Sequence, residues 1–113
     1  MSDTQLRDVV LVLVEAWRQE DSGSTIAGLL AVSIFEPTDV MAELLELVRE
    51  ASGMLIDFPL PPVPWMPMGR AEELLREVLQ DRPALQVDPN SPEGSELIVD
   101  LIGLAALLPR TEG

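Results

Sequence analysis

The chain contains no lysine, histidine, cysteine or tyrosine, and its seven basic residues are all arginine, set against twenty carboxylates. Each absence removes a chemistry. Without histidine there is no imidazole base, without cysteine no thiolate, without lysine no amine for a Schiff base, and without tyrosine no phenol. The lack of cysteine also excludes a disulfide framework and a thiolate metal site. The serines have no histidine or lysine to activate them, and no GxSxG, P-loop or GxGxxG pattern occurs. The expectation is a protein without catalytic activity and without a cofactor or metal. Aromatic residues are scarce as well: only Trp17, Phe35, Phe58 and Trp65 are present, so Leu, Val and Ile must fill any core.

What is there is apolar and acidic. The apolar fraction of 47% is that of a globular protein, and 113 residues make one domain, here taken as 1–113. The net charge of −13 is extreme for this length. It repels phosphate backbones and anionic lipid, so nucleic-acid and membrane-surface binding are not expected. It suits a basic protein partner, or solubility alone. The opening Met1-Ser2-Asp3 has no basic n-region. The longest apolar stretch, Leu97 to Leu108, is short of a membrane span and interrupted by Asp100. A cytoplasmic location is expected, and the arginine-only basicity with abundant Ala, Leu, Val and Pro has the look of a high-GC bacterial composition.

Along the chain, Ser2 with Gln5 fits a capping box, and Leu6, Val9, Val10, Leu13 and Trp17 recur at helical spacing, predicting a helix over 3–20. The run Val9 to Val14 also suits a buried strand. Asp21 to Ser24 reads as a turn. Ser24 or Thr25 then caps a segment from Ile26 to Phe35, weakened as a helix by Gly28 and open to an extended form over 31–35. Pro37 ends it. Thr38 or Asp39 caps the clearest helix, 39–52, with Val40, Met41, Leu44, Leu45 and Val48 inward and Gly53 as its stop. Residues 57–68 form a Pro-rich, polyproline-II-like connector. A further amphipathic helix covers 70–81, with Ala71, Leu74, Leu75, Val78 and Leu79 inward. Segments 54–58 and 84–87 are candidates for short β-elements. Ser91 and Pro92 suit N-cap and N1 of a last helix that runs to about Leu108, although Ser95 could cap instead; 109–113 is a loose tail. The fold expected is mostly α: a compact bundle of about five helices with a Pro-rich connector and one or two short β-segments at most.

Three features are candidate sites. The last helix is apolar almost all round, from Leu97 to Leu108, which fits either a fully buried central helix or a helix with one face on a second copy or another protein. Its candidate interaction residues are Leu101, Leu104 and Leu108, with Gly103 allowing close approach. The connector is either a rigid cover for the core or a stiff loop presenting Trp65 and Met66 as a hydrophobic anchor; its PxxP spacing is a weak signal. The carboxylates Glu43, Glu46 and Glu50, and Glu72, Glu73 and Glu77, form acidic helical faces. These read as solvated surfaces rather than a di-iron site, which would need Glu-x-x-His. Asp88-x-Asn90 resembles the opening of a calcium loop, but Pro92 and Glu93 stand where a ligand and the glycine belong.

The function expected is therefore a non-catalytic acidic protein–protein interaction module, an adaptor, chaperone or assembly subunit, self-associating through a hydrophobic surface as a homo-oligomer. One alternative is an acidic inhibitor of a basic partner, such as an immunity protein, antitoxin or nucleic-acid mimic. A second is a carboxylate-only hydrolase or divalent-metal binder.

Overall fold

A computed structural model describes residues 3–52, 63–80 and 87–108, and these carry five helices: α1 (Asp3–Arg18), α2 (Ser22–Val32), α3 (Pro37–Ser52), α4 (Met68–Gln80) and α5 (Pro92–Leu107). The apolar run Val9 to Val14 is helical, as its length and flanking pattern require. Its residues alternate between core and surface with helical period: Val10, Leu13 and Val14 are buried, Leu11 and Val12 exposed. Among the described residues there is no strand; the only β-feature is an isolated antiparallel bridge between Val63 and Met66. The expected segment 54–58, the stop at Gly53 and residues 84–86 lie outside the described residues. Val87 has no regular secondary structure and packs against the core.

Helix starts were displaced from expectation in an instructive way. Asp21 is the N-cap of α2, with its side chain accepting from the Ser24 N–H, so Ser22 to Ser24 are the first turn rather than a loop. The carboxyl group is the better cap because it also takes the Ser24 hydroxyl hydrogen bond, at 2.9 Å. α3 begins at Pro37, not after it: Pro is favoured at the first helical position, where its missing N–H is not needed. The Glu36 carbonyl accepts from Asp39 and Val40, both at 3.0 Å. α4 likewise starts at Met68, two residues before the expected Arg70, and takes the end of the Pro-rich connector into the helix. The start of α5 is as read. Ser91 caps it, accepting from Gly94 N–H at 3.1 Å, and Pro92 follows. Gly94 is required there, because a Cβ would lie 2.1 Å from the Asp88 carbonyl oxygen.

α5 is the centre of the fold, in contact with α1, α3 and α4, while α1 and α3 also touch each other. Every residue from Leu101 to Leu108 is buried, and the three flanking helices supply the cover that a small domain needs on all sides of an apolar helix. Leu44, Leu74, Leu75, Val48 and Val78 complete the interior. Leu79 was expected inward but is 54% exposed, since it lies about 100° from the buried Val78 on the helix. α2 stands outside this group and packs on α1. Gly28 makes that contact possible: a Cβ here would sit 2.9 Å from Leu13 Cδ1 and 3.1 Å from its Cα. The radius of gyration, 13.2 Å, is that of a compact domain of this length.

Polar contacts lock the helices together at their edges. Arg18 on α1 reaches the end of α5, where Nε donates to the Ala106 carbonyl at 2.9 Å and Nη2 to those of Leu108 at 3.0 Å and Ala105 at 3.2 Å. α5 has no basic residue in its own last turn, so Arg18 satisfies its terminal carbonyls and opposes the negative end of its dipole. Glu15 pairs with the same guanidinium. Asp100, the one charge within the apolar stretch Leu97 to Leu108 of α5, pairs with Arg70 of α4 at 3.0 Å.

Candidate protein-interaction face

The residues expected to form a binding surface are mostly interior. Leu101, Leu104 and Leu108 are buried in α5, and Met66 is buried beside them. Trp65 is partly buried: it follows Pro64 in the turn closed by the Val63–Met66 bridge, and its indole N–H donates to the Gly103 carbonyl at 2.9 Å. Pro at the second position of such a turn presets its backbone angle. Gly103 does permit a close approach, but of the chain's own Trp65 and Met66, whose Cδ1 and Cε both lie 3.2 Å from where a Cβ would be. The Pro-rich turn is thus a cover for α5 and not a free anchor.

The acidic faces do not converge on a site. Glu43 and Glu50 of α3 both pair with Arg7 of α1, Glu43 at 3.3 Å, and the hydrogen bond that Arg7 donates to Glu50 is the largest cause of a raised pKa at that guanidinium. Glu46 and Glu73 are exposed and Glu77 partly so. Among the described residues no group of three metal-ligating side chains occurs, and no polar or charged side chain is buried. Asp88 is a turn residue: its side chain accepts the Asn90 N–H and its carbonyl the Ser91 N–H, both at 2.9 Å. Among the described residues no helix is long and apolar enough to cross a membrane.

The surface that stands out lies on α2. From Ser22 to Phe35 no residue carries a charge, the longest such run in the chain. Gly28 and Val32 face α1, and the opposite side exposes Ile26 (59%), Leu30 (66%) and, just beyond the helix, Ile34 (72%). These side chains form a ridge. One flank carries Leu29. The other descends into a groove of 350 Å³ between α1 and α2, lined by Val9, Val12, Ala27, Gly28 and Ala31, with Asp8 and Ser24 at its polar edges. A second hollow, of 360 Å³, opens at the N-terminal end of α2 between Trp17, Glu20, Ile26, Pro64 and Trp65. The uncharged run was the signal for this face in the sequence. It was obscured because α2 is apolar on all sides, so nothing local told which residues would point away from the protein.

Comparison with protein-family models, with curated proteins and with solved structures finds no match for this chain.

Proposed function

We propose that this chain is a non-catalytic protein-interaction module of the bacterial cytoplasm, self-associating through the α2 face. The observation that carries the reading is a charge-free helix exposing Ile26, Leu30 and Ile34 on a protein of net charge −13. Two strongly acidic molecules can meet most readily through a surface that carries no charge, because like charges set against each other across an interface are costly. The face is also self-complementary. In a two-fold dimer the Ile26–Leu30–Ile34 ridge of one copy enters the groove beside α2 of the other, whose floor of Ala27, Gly28 and Ala31 leaves room for it. The exposed side chains Val12, Ile26, Leu29, Leu30 and Ile34 supply on the order of 500 Å² of apolar surface, the upper range for a monomer's largest patch. A standard interface takes about 800 Å² from each partner, so the helix backbone and the rim of α1 would contribute the rest.

Size-exclusion chromatography with light scattering, at low and high salt, tests this. The expected result is a dimer insensitive to salt, and a monomer for Leu30→Glu with unchanged helicity and stability, since Leu30 is exposed. A wild-type monomer at every concentration and salt would refute it.

A second reading, an acidic ligand for a basic partner, is favoured by the arginine pairing. Arg7, Arg18 and Arg70 are each engaged with the chain's own carboxylates, which leaves Glu46 and Glu73 facing solvent. It differs in its salt response, because such binding weakens steeply as ionic strength rises.

A further inference from the structure

Both tryptophans of the chain, Trp17 from the end of α1 and Trp65 from the turn that covers α5, line one hollow of 360 Å³ together with Glu20, Ser22, Thr25, Ile26 and Pro64. Trp65 is held in place by its hydrogen bond to the Gly103 carbonyl, so one wall of the hollow is set before any ligand arrives. Glu20 has no ion-pair partner among the described residues. Two indoles and a carboxylate bordering one open space are the chemistry that suits an organic cation, because indole faces attract positive charge and a carboxylate adds a Coulombic partner.

The backbone gives an independent reason to look at Glu20. It is the only non-glycine residue with positive φ among the described residues, at 56°. The cause is a helix-ending motif: Glu20 N–H donates to the Trp17 carbonyl at 3.1 Å and Asp21 N–H to that of Ala16 at 3.0 Å. The left-handed position in this motif is the one where glycine is ordinarily found, since a Cβ is disfavoured there. A glutamate in that place gives up stability, and it stands on the wall of the hollow. Strain of this kind concentrates at functional sites.

The surrounding charges agree. The end of α1 presents its partial negative charge here. The nearby Arg18 guanidinium is occupied by Glu15 and the α5 carbonyls. The first turn of α2, which would oppose a cation, is capped by the Asp21 carboxylate. We infer that the Trp17–Trp65–Glu20 hollow binds an organic cation whose charge is spread over alkyl or guanidinium surface: an alkylated ammonium or an arginine side chain. The hollow shares Ile26, but not Leu30, with the α2 ridge, so the Leu30→Glu variant presents it free of any association through α2.

The test is a titration of the whole chain with tetramethylammonium, acetyl-trimethyllysine amide and acetyl-arginine amide, with sodium chloride as the ionic control. Tryptophan emission and the two indole N–H resonances are the readouts. The expected result is a saturable response at millimolar concentration at both indoles, beyond that of sodium chloride. Stronger binding of the amino-acid cations assigns the site to a protein side chain, and stronger binding of tetramethylammonium assigns it to a free quaternary ammonium compound; either supports the site. Glu20→Gly separates function from structure: it should raise Tm by about 4 °C while weakening cation binding about tenfold. A wild-type response no different from sodium chloride, or undiminished binding by Glu20→Gly, would overturn the inference. Because Ile26 belongs to both surfaces, the titration is repeated on Leu30→Glu, which keeps the hollow and removes association, so that failure here and failure of the dimer are read separately.

Discussion

Replacing Arg18 by methionine should unfold the protein more readily, by an amount set by its contacts with the buried end of α5. Besides pairing with Glu15, the guanidinium donates three hydrogen bonds to the carbonyls of Ala105, Ala106 and Leu108, whose residues are all nearly inaccessible. Methionine keeps the apolar stem of the side chain and removes only the head. Hydrogen bonds involving a charged partner are worth about 1.5–3 kcal/mol. The Arg18 side chain is 25% exposed, so water can reach the site and recover part of the loss. We expect a destabilisation of about 2 kcal/mol, the lower part of that range, or a fall in Tm of roughly 8 °C for a domain of this size. Arg18→Lys restores the charge at the end of α5 but not the planar fork that reaches three acceptors, and should recover less than half of the difference. Urea denaturation of the three proteins gives the measurement, with an unchanged slope showing that only stability has moved. If Arg18→Met lies within about 0.5 kcal/mol of the wild type, as surface changes do, or if Arg18→Lys is fully equivalent to it, the view of Arg18 as the cap of α5 is wrong.

Two further predictions concern α2. Gly28→Ala should destabilise by about 1 kcal/mol: relief of glycine's helix penalty returns about 1 kcal/mol, but the new Cβ, 3.1 Å from the Leu13 backbone, forces the helices apart at a cost of about 1–3 kcal/mol. A chemical denaturation curve that shows a stabilised variant would mean that α2 is not held against α1 as described. The Asp21 carboxyl is held below its ordinary value of 3.8, chiefly by the Ser24 N–H and then by the Ser24 hydroxyl. A carboxyl with a lowered folded pKa contributes stability that is complete above 3.8 and disappears as pH falls through the lower folded value. The Ser24 amide resonance should therefore titrate below the ordinary value in the wild type and stay flat in Asp21→Asn; a midpoint at or above it would contradict the capping geometry.

The amino-acid sequence by itself determined the helices whose signals are local. The apolar spacing of α1, α3 and α4 sets which residues can lie on one side, and Ser91-Pro92 fixes where α5 begins, because a cap and a missing N–H act within one turn of chain. Of the acidic faces, Glu46 and Glu73 were legible as solvated, whereas the pairing of Glu43 and Glu50 with Arg7 of α1 was not. What the tertiary structure alone decided was the fate of the two helices that are apolar on every side. α2 and α5 look alike in this respect, yet α5 is enclosed by three neighbours and α2 is left at the edge with Ile26, Leu30 and Ile34 in solvent. No periodicity distinguishes them, since burial is conferred by the surfaces that other segments bring. The meeting of Trp17, Glu20 and Trp65 is equally non-local: the first two flank the end of α1, and the third comes from a turn fastened to Gly103. A hollow between distant segments exists only once the chain has closed on itself.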